Sequence, residues 1–398
     1  MISANSANGA RPLVYLVAGE PSGDRLGKRL MAALKQKTNN QIEFRGIGGP
    51  LMTGEGLDSR FPMAELSVMG FAEVLPRLPA LLRHIRETAD DILRSRPRVA
   101  VTIDTPDFSL RVAKRLGGRG IPLVHYVAPS VWAWKPGRAR KMAEYLDHVL
   151  TLLPFEPPYF TRHGLAATFV GHPVLESGAA DGDGKAFRER HRIPLQAPLI
   201  CLLPGSRSSE IRRLLPIFKE VRARLMRKHP ELRTVLPTVQ HLDREMRAAI
   251  ADWPRPPLII GGEAEKFDAF AAANAALAAS GTVGLELAMA ATPHVVSYRM
   301  NPFSAILARI MVKAEYVHLV NLVLGEEAVP EFLLGACRPG PITESMHTLL
   351  SDQDAASRQT AKFEQALGKL GAAGNSPGEA AAEKVLELMR WSDSGAGG

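Results

Sequence analysis

Short apolar runs alternate with amphipathic segments along most of the chain. The runs are about four to eight residues long and apolar throughout, which is typical of parallel strands covered on both faces. Between them, leucines recur at helical spacing, as at Leu26, Leu30 and Leu34. The pattern predicts strands at 13–18, 43–48, 98–104, 122–128, 148–153 and 167–171, and then at 199–204, 233–239, 257–262, 275–280 and 294–300.

The alternation is interrupted at residues 177–198. This stretch is rich in Gly, Pro and charged residues, and we interpret it as an interdomain linker that can contain one short helix. Two βαβ series joined by a linker predict an α/β protein with two doubly wound, Rossmann-like domains facing across a cleft. We place these domains at 1–172 and 173–365, followed by a C-terminal helix and a disordered tail within 366–398.

The last helix carries a start signal of its own. Ser376 and Glu379 form an S-x-x-E capping box, with Pro377 at the first helical position. The helix is expected to run to about Trp391, and it could pack on the first domain. Because ligands of doubly wound domains bind at the carboxyl ends of the strands, we expect substrates in the cleft.

The composition indicates the general class of binding partner but does not identify one partner. The 398 residues are 46% apolar and 23% charged, as in an ordinary globular protein. The net charge of +8 and a pI near 9.6 favour an anionic partner, which can be nucleic acid, a phosphorylated ligand or a membrane surface. Two cysteines exclude a disulfide framework, and the N-terminus lacks the apolar core of a signal peptide, so a cytoplasmic location is expected.

One loop of the second domain, "LPGSRSSEI", suits a nucleotide diphosphate. It follows a strand and precedes a helix, so glycine lets the backbone approach an anion and arginine can bind phosphate oxygens bidentately. An ordinary turn with an exposed arginine is the alternative. The candidate residues are Gly205, Ser206 and Arg207.

A second loop, "ASGTVGLELAMA", has the same strand-to-helix character. Helix N–H groups there can bind an anion, and Glu286, one turn into the helix, can accept hydrogen bonds from ribose hydroxyls. The alternative is that Ser280 or Thr282 only caps the helix; Gly281 lies between them. Neither loop is a Walker A or GxGxxG motif, which disfavours ATP hydrolysis and dinucleotide redox chemistry.

The first domain contributes paired carboxylates in "TIDTPDFSL". Asp104 lies at the tip of a strand and is the better candidate for a general base, while Asp107 could orient it, bind substrate or cap the next helix. The stretch "HYVAPSVWAWKPGRARK" places Trp132 and Trp134 among cations, which suits a sugar face with a phosphate, a lipid headgroup or nucleic acid. No cluster of residues with metal-ligand spacing is present, so we predict no metal site.

These motifs together resemble the lipid A disaccharide synthase family. The resemblance rests on "AGEPSGD", "GIGGPLM", "SVMGFAEVLPR", "DTPDF", "SVWAWKPGRARK", "LPFEPPYF", "VGHPV", "LPGSR", "ASGTVGLELA" and "YRMNPF", and it covers about residues 12–390. It implies a GT-B fold and an inverting glycosyltransferase that needs neither a metal nor another cofactor. The family's base matches Asp104, and its donor-binding arginine, glutamate and asparagine match Arg207, Glu286 and Asn321.

The resemblance also implies the substrates and the location. The donor would be UDP-2,3-diacylglucosamine and the acceptor 2,3-diacylglucosamine 1-phosphate (lipid X), used by a peripheral protein on the inner face of the cytoplasmic membrane of Gram-negative bacteria. The apolar, arginine-flanked stretch 65–87 would then contact acyl chains or the membrane. We expect the acceptor to be bound by Glu20, Ser22, Asp24, Met69, Phe71, Ser130, Trp132, Trp134, Lys135 and Arg138.

Two other functions remain open at this point. A UDP-sugar 2-epimerase can share the two-domain architecture, but it would not need the apolar stretch. A basic nucleic-acid-binding protein would owe its affinity to counterion release. Carboxylates at a strand tip argue against it, because they would repel phosphates.

Overall fold

The computed structural model describes residues 11–66, 71–135, 137–300, 315–371 and 375–394, without the side chains of 71–78 and 390–394. The chain divides into two compact units. Unit 1 comprises Met1–Pro173 and Gly371–Gly398, and unit 2 comprises Val174–Leu370.

Unit 1 is built on a parallel seven-stranded sheet of order β3-β2-β1-β4-β5-β6-β7. Its strands are β1 (Leu13–Ala18), β2 (Glu43–Ile47), β3 (Asp58–Ser59), β4 (Val99–Ile103), β5 (Leu123–Tyr126), β6 (His148–Thr151) and β7 (Ala166–Phe169). Its helices are α1 (Pro21–Lys37), α2 (Pro50–Gly54), α3 (Phe71–Ser95), α4 (Pro106–Leu116), α5 (Gly137–Met142), α6 (Pro157–Thr161) and the C-terminal α15 (Pro377–Ser394).

Unit 2 is built on a parallel six-stranded sheet of order β10-β9-β8-β11-β12-β13. Its strands are β8 (Leu199–Leu203), β9 (Arg233–Thr238), β10 (Leu258–Gly261), β11 (Ala275–Ala279), β12 (His294–Tyr298) and β13 (Glu331–Leu333). Its described helices are α7 (Gly184–Arg190), α8 (Ser208–Lys228), α9 (Asp243–Ile250), α10 (Glu263–Ala272), α11 (Val283–Met289), α12 (Leu319–Leu324), α13 (Pro339–Ser351) and α14 (Gln353–Leu370).

The eleven strands predicted from the apolar runs are all present, and β1, β4, β5, β6, β8 and β11 are buried along almost their whole length. Leu26, Leu30 and Leu34 lie buried under the first sheet, as the helical spacing predicts. Both cysteines are buried and unpaired. Among the described residues, no helix combines the length and apolar character that would let it cross a bilayer.

The C-terminal helix returns to unit 1. Ala381, Ala382 and Val385 on α15 are buried in the same cluster as the leucines of α1, and Lys37 Nζ lies 2.7 Å from Glu383 Oε1. The capping box is confirmed, because Ser376 N donates to the Glu379 carboxylate and Glu379 N donates to the Ser376 hydroxyl. Of the predicted disordered tail, 392–394 belong to α15 and 395–398 lie outside the described residues.

The prediction of a linker at 177–198 is wrong, because this segment is packed into unit 2. It contains α7, and the buried Arg188 on that helix donates to Ala272 O, Asn274 Oδ1 and Ala197 O. Gly and charged residues here serve close packing rather than flexibility: a Cβ at Gly184 would lie 2.5 Å from Ala271 O. The composition of the stretch is typical of a linker, but its contacts are those of a segment packed into a folded domain.

Candidate active site

Each sheet has one point at which the strand order reverses. In unit 1 the chain moves from β1 to β2 and β3, and then resumes on the other side of β1 with β4. The loops that follow β1 and β4 therefore leave neighbouring strand ends in opposite directions and open a crevice between them, where doubly wound domains bind ligands. These loops carry "GEPSGD" and Asp104, which places the two motifs side by side.

Asp104 is held by two hydrogen bonds at the tip of β4. Its Oδ2 accepts the Ser22 hydroxyl at 2.9 Å, and its Oδ1 accepts Thr105 N at 2.8 Å. Asp104 and Thr105 both have left-handed backbone angles, with φ of 53° and 45°. Such angles are uncommon for residues other than glycine and cost free energy, so their persistence at a strand tip is typical of a functional site. The carboxylate is oriented yet partly exposed, as a general base must be.

The loop after β1 packs directly against the turn that carries Asp104. A Cβ at Gly19 would lie 2.9 Å from the Thr105 side chain, so glycine is required for this close approach. Ser22 does not cap α1, although serine is a common capping residue. Ser22 is the second residue of that helix, and its hydroxyl is directed to Asp104 instead of a backbone N–H group.

Asp24 has a structural role, so its assignment to the acceptor site is corrected. Only 3% of it is exposed, and its carboxylate accepts backbone N–H groups of Gly49 at 2.9 Å, Leu51 at 3.1 Å and Met52 at 3.0 Å. Pro50 has no N–H group, so Asp24 satisfies the whole first turn of α2 and compensates its helix dipole. Glu20 in the same loop remains exposed.

Asp107 lies on the surface near the start of α4. Its side chain is 92% exposed and pairs with Arg138 of α5 across 3.6 Å. An ion pair this exposed contributes little stability, which leaves both groups available to a ligand. A supporting role for Asp107 stays a prediction.

The two tryptophans of "SVWAWK" have different surroundings. Trp132 donates its indole N–H to Glu156 Oε1 at 3.1 Å and packs edge-on against Phe155. Trp134 is 41% exposed, with Lys135 Nζ 4.2 Å from its ring centroid. One tryptophan therefore anchors the loop, and the other presents an aromatic face with a cation to solvent. Ser130 is also exposed and begins this turn, because its backbone carbonyl oxygen accepts hydrogen bonds from the N–H groups of Ala133 and Trp134.

Glu156 is a residue that sequence reasoning missed. Its carboxylate is 4% exposed and also accepts the N–H groups of Leu152 and Leu153. Burial raises the pKa of Glu156 to about 7, although the bonds from Leu153, Trp132 and Leu152 act in the opposite direction. Its signal in the sequence is a lone carboxylate within the apolar "LLPFEPPYF". It fixes the tryptophan loop to the end of β6.

Two residues predicted to bind the acceptor cannot be placed. Met69 lies outside the described residues, and Phe71 begins α3 with its side chain outside the description. Further along α3, Leu82 is 45% exposed while Ile85 is buried. The described part of the apolar stretch therefore has both a core face and an exposed apolar position.

Unit 2 reverses its strand order between β8 and β11, where the two candidate anion loops begin. Leu203 at the end of β8 is the register partner of Ala278 in β11. The loops with Gly205–Arg207 and Ser280–Thr282 therefore leave adjacent strand ends, at the position where a doubly wound domain binds its ligand. The parallel pairing of β8 with β11 supplies this juxtaposition.

Glu210 organises the first of these loops and was also missed. Gly205 adopts a φ of +120°, and Glu210 accepts Ser206 N at 3.1 Å and Arg207 Nη1 at 3.1 Å. The Arg207 side chain is 63% exposed. The spacing of Glu210, three residues after the arginine and in the first turn of α8, is its only sequence signal. The contact holds Arg207 beside the loop N–H groups.

The second loop presents a partly exposed turn before α11. Ser280 N donates to Ser297 O of β12, and neither Ser280 nor Thr282 makes a side-chain capping bond to this helix. Glu286 Oε2 lies 2.9 Å from Lys266 Nζ of α10, a partner that nothing in the sequence indicated. The lysine orients the carboxylate that is expected to meet the ribose.

The assignment of Asn321 to donor binding is corrected. Asn321 is fully buried; its amide NH2 donates to Val329 O and Glu331 Oε1, each at 2.8 Å, and its Oδ1 accepts Ala328 N and Val329 N. These four bonds use the hydrogen-bonding capacity of the amide. Asn321 therefore fixes the turn between α12 and β13, and its amide has no hydrogen-bonding capacity left for a ligand.

A buried pair of histidines, His294 and His318, packs against α11 and so supports the second loop. A Cβ at Gly284 would lie 2.1 Å from His318 Nε2, so α11 packs closely on that ring. His318 Nδ1 accepts Val320 N, its Nε2 lies 3.1 Å from His294 Nε2, and His294 Nδ1 donates to Thr292 O. The chain of bonds is complete with one proton per ring. Burial lowers the pKa of His294 to about 4 and that of His318 well below its usual value.

Stability is expected to fall as the pH drops from about 7 towards 5. Buried histidines stay neutral in the folded state, but the unfolded chain takes up protons below about pH 6.5, so the free energy of unfolding decreases by about 1.4 kcal/mol per fully buried ring at pH 5.5. The raised pKa of Glu156 has the opposite effect on the free energy of unfolding, but Glu156 is one group against several buried histidines. Urea unfolding at several pH values measures this; a midpoint that does not change over the range would contradict it. The histidines with lowered pKa and buried side chains are His125, His148, His172, His294 and His318.

Known proteins match this chain over nearly all of its length. A family model described as Lipid-A-disaccharide synthetase matches residues 14–385. A lipid-A-disaccharide synthase of Rhodospirillum centenum is 48% identical over 379 residues, which cover 95% of this chain and 94% of that protein. One of Paramagnetospirillum magneticum is 49% identical over 382 residues, covering 95% and 98%.

A solved structure extends the comparison to the fold. A putative UDP-N-acetylglucosamine 2-epimerase from Listeria monocytogenes superposes with a TM-score of 0.65 and covers 97% of this chain and 98% of its own, at 12% identity. A likeness at that identity concerns the fold alone. It confirms the predicted α/β architecture of the GT-B type.

Proposed function

The chain belongs to the lipid-A-disaccharide synthase family and is a glycosyltransferase, and from this we propose that it joins UDP-2,3-diacylglucosamine to 2,3-diacylglucosamine 1-phosphate (lipid X). The products are the β-1,6-linked tetraacyl disaccharide 1-phosphate and UDP. The observation that carries the proposal is the oriented carboxylate of Asp104, held by Ser22 at a strand tip of unit 1. Both groups come from motifs on which the resemblance rests.

The reaction is a single displacement with inversion. Asp104 takes the proton of the acceptor 6-hydroxyl as its oxygen attacks the anomeric carbon of the donor, and the bond to UDP breaks. The hydrogen bonds from Ser22 and Thr105 support this role, because they fix the carboxylate before substrate binds. The left-handed backbone of Asp104 is the conformational cost of that placement.

The donor is bound by unit 2. Arg207 supplies charge to the departing diphosphate, and the backbone of Ser280–Thr282 supplies N–H donors from the adjacent strand end. Glu210 holds Arg207 in place before the donor arrives. Glu286, oriented by Lys266, accepts hydrogen bonds from the ribose hydroxyls.

The acceptor is bound by residues at the surface of unit 1. Trp134 offers a face for the sugar, and Lys135 and Arg138 offer charge to the 1-phosphate. Glu20 accepts sugar hydroxyls, and Ser130 belongs to the same exposed turn as Trp134. Trp132 acts indirectly, because it anchors this turn to Glu156.

The protein acts as a peripheral protein on the inner face of the cytoplasmic membrane. Its net charge of +8 favours an anionic surface. Unit 1 also exposes large apolar side chains at Leu51, Leu82 and Trp134, between 40% and 45% accessible. Apolar side chains among cations are typical of an interfacial contact, and the same contact would admit acylated substrates.

Product analysis tests the proposal. Mass spectrometry after incubation with both acylated sugars should detect the tetraacyl disaccharide 1-phosphate together with UDP, and omission of either sugar should abolish it. Incubation with UDP-N-acetylglucosamine alone should give no 2-epimer. A 2-epimer without disaccharide would overturn the proposal in favour of an epimerase, which so far has only the distant likeness of fold in its favour.

A further inference from the structure

A second basic site lies at the other edge of the unit 2 sheet. A cavity of about 320 Å³ opens at the amino ends of β9 and β10, whereas the donor loops follow carboxyl ends of strands. It is lined by Arg192, Arg222, Arg233 and Arg255, together with His191. Its volume is that of roughly ten water molecules, which is ample for a phosphate group.

The positive charge of this cavity is uncompensated. Its lining contains four arginines and no aspartate or glutamate, and within the described parts of the chain none of these arginines forms an ion pair with a carboxylate. His191 is bound to Glu265, but that carboxylate is shared with Arg190 and does not line the cavity. Like charges gathered without an opposite charge repel one another, and a bound anion would relieve this repulsion.

Arg222 is the fixed floor of the site. It is 3% exposed and donates only to neutral oxygens: Nε to Thr234 Oγ1 at 3.1 Å, Nη1 to Pro254 O at 3.0 Å, and Nη2 to Arg255 O. Burial, and then the charge of Arg255, lower the pKa of Arg222 to about 10. Carbonyl groups orient the guanidinium but leave its charge unbalanced.

The remaining arginines are arranged around that floor. Arg255 donates to Pro230 O, and both Arg192 and Arg255 have left-handed backbones, with φ of 52° and 48°. Arg192 and Arg233 are exposed, and their side chains make no hydrogen bond or ion pair to the described residues. Two guanidinium groups are thus available to a ligand at the mouth of the cavity.

We propose that this cavity binds a phosphate group, as inorganic phosphate or as the phosphomonoester headgroup of a lipid. Guanidinium groups pair bidentately with phosphate oxygens, and a dianion offsets more of the repulsion than a carboxylate does. The lining has no Trp, Tyr or Phe on which a base could stack, which favours a phosphate group over a nucleotide. The site is distinct from the donor loops and does not depend on the proposed reaction.

The test uses the full chain with R192Q/R233Q, and R115Q/R119Q as a control that removes the same charge from exposed positions of unit 1. Inorganic phosphate is titrated by calorimetry, with UDP present to occupy the donor loops. Sedimentation with phosphatidylcholine vesicles containing phosphatidic acid forms the second arm. R192Q/R233Q should weaken binding of at least one probe by about tenfold or more, which corresponds to about 1.4 kcal/mol, and the control should stay within about twofold.

The arm that responds identifies the source of the phosphate, and a response in either arm supports the site. Without phosphate, R192Q/R233Q should melt at the same temperature as the wild type or higher, because the substitutions remove repulsion and no partner. The proposal is overturned if the wild type binds neither probe, or if R115Q/R119Q weakens binding as much as R192Q/R233Q does.

Discussion

Replacing Asp104 by asparagine is expected to lower kcat by about 10²–10⁴-fold, because the general base for the acceptor hydroxyl is lost. Asparagine is isosteric, and its carbonyl oxygen can still accept a hydrogen bond from Ser22 or Thr105, so the strand tip should keep its conformation. Initial rates of disaccharide formation with both substrates saturating measure kcat, and thermal unfolding measures the fold. Donor affinity should be unchanged, since the donor loops belong to unit 2.

Asp107→Asn is the matched control for Asp104→Asn. It makes the same chemical change three residues away on an exposed side chain whose ion pair with Arg138 contributes little. We expect an effect below about tenfold. Ser22→Ala should fall between the two, because it removes one of the bonds that orient Asp104 but not the base. A folded Asp104→Asn variant with most of its activity would refute the assignment.

Replacing Asp24 by asparagine is expected to destabilise unit 1 by about 2–4 kcal/mol. The buried carboxylate accepts three backbone N–H groups of the first turn of α2, and an amide would turn its own NH2 group towards one of them. Leaving a buried donor unpaired costs about 1–3 kcal/mol, and loss of the negative charge at the helix N-terminus adds to this. Urea unfolding followed by circular dichroism measures the change.

Asp58→Asn provides the comparison for Asp24→Asn. Asp58 lies in the same unit, on the short edge strand β3, and is exposed, so its replacement should change stability by less than about 0.5 kcal/mol. If Asp24→Asn is equally mild but abolishes acceptor binding, Asp24 belongs to the acceptor site after all. The stability measurement therefore separates a capping role from a ligand-binding role.

The strands were predictable because burial on both faces makes them apolar throughout. The runs at 98–104 and 199–204 became β4 and β8 with ends shifted by at most one residue. The short strands β3 and β13 were missed, because two or three residues carry no periodicity. In β13, Glu331 interrupts the apolar run, yet its carboxylate binds Val317 N and His318 N.

The site was predictable in location but only partly in roles. Strand-to-helix loops identified "GEPSGD", "TIDTPD", "GSR" and "SGT", and parallel pairing places them at the two points where the strand order reverses. The sequence did not separate residues that face a ligand from those that support the loop. Asp24 and Asn321 proved to be supports, whereas Glu156 and Glu210, which hold Trp132 and Arg207, were overlooked.

By itself, the sequence determined the two doubly wound sheets, the loops at their carboxyl ends and the family. Apolar periodicity and turn chemistry are local properties, so each can be recognised in a short stretch of the sequence. Only the tertiary structure decided which polar groups are already satisfied within the protein. The sequence does not show whether a carboxylate or amide binds a substrate or a group of the protein itself. Asp24, for example, accepts the backbone N–H group of Gly49, 25 residues away. Burial and hydrogen bonding make that distinction, because a polar group enclosed by its own partners has no capacity left for a ligand.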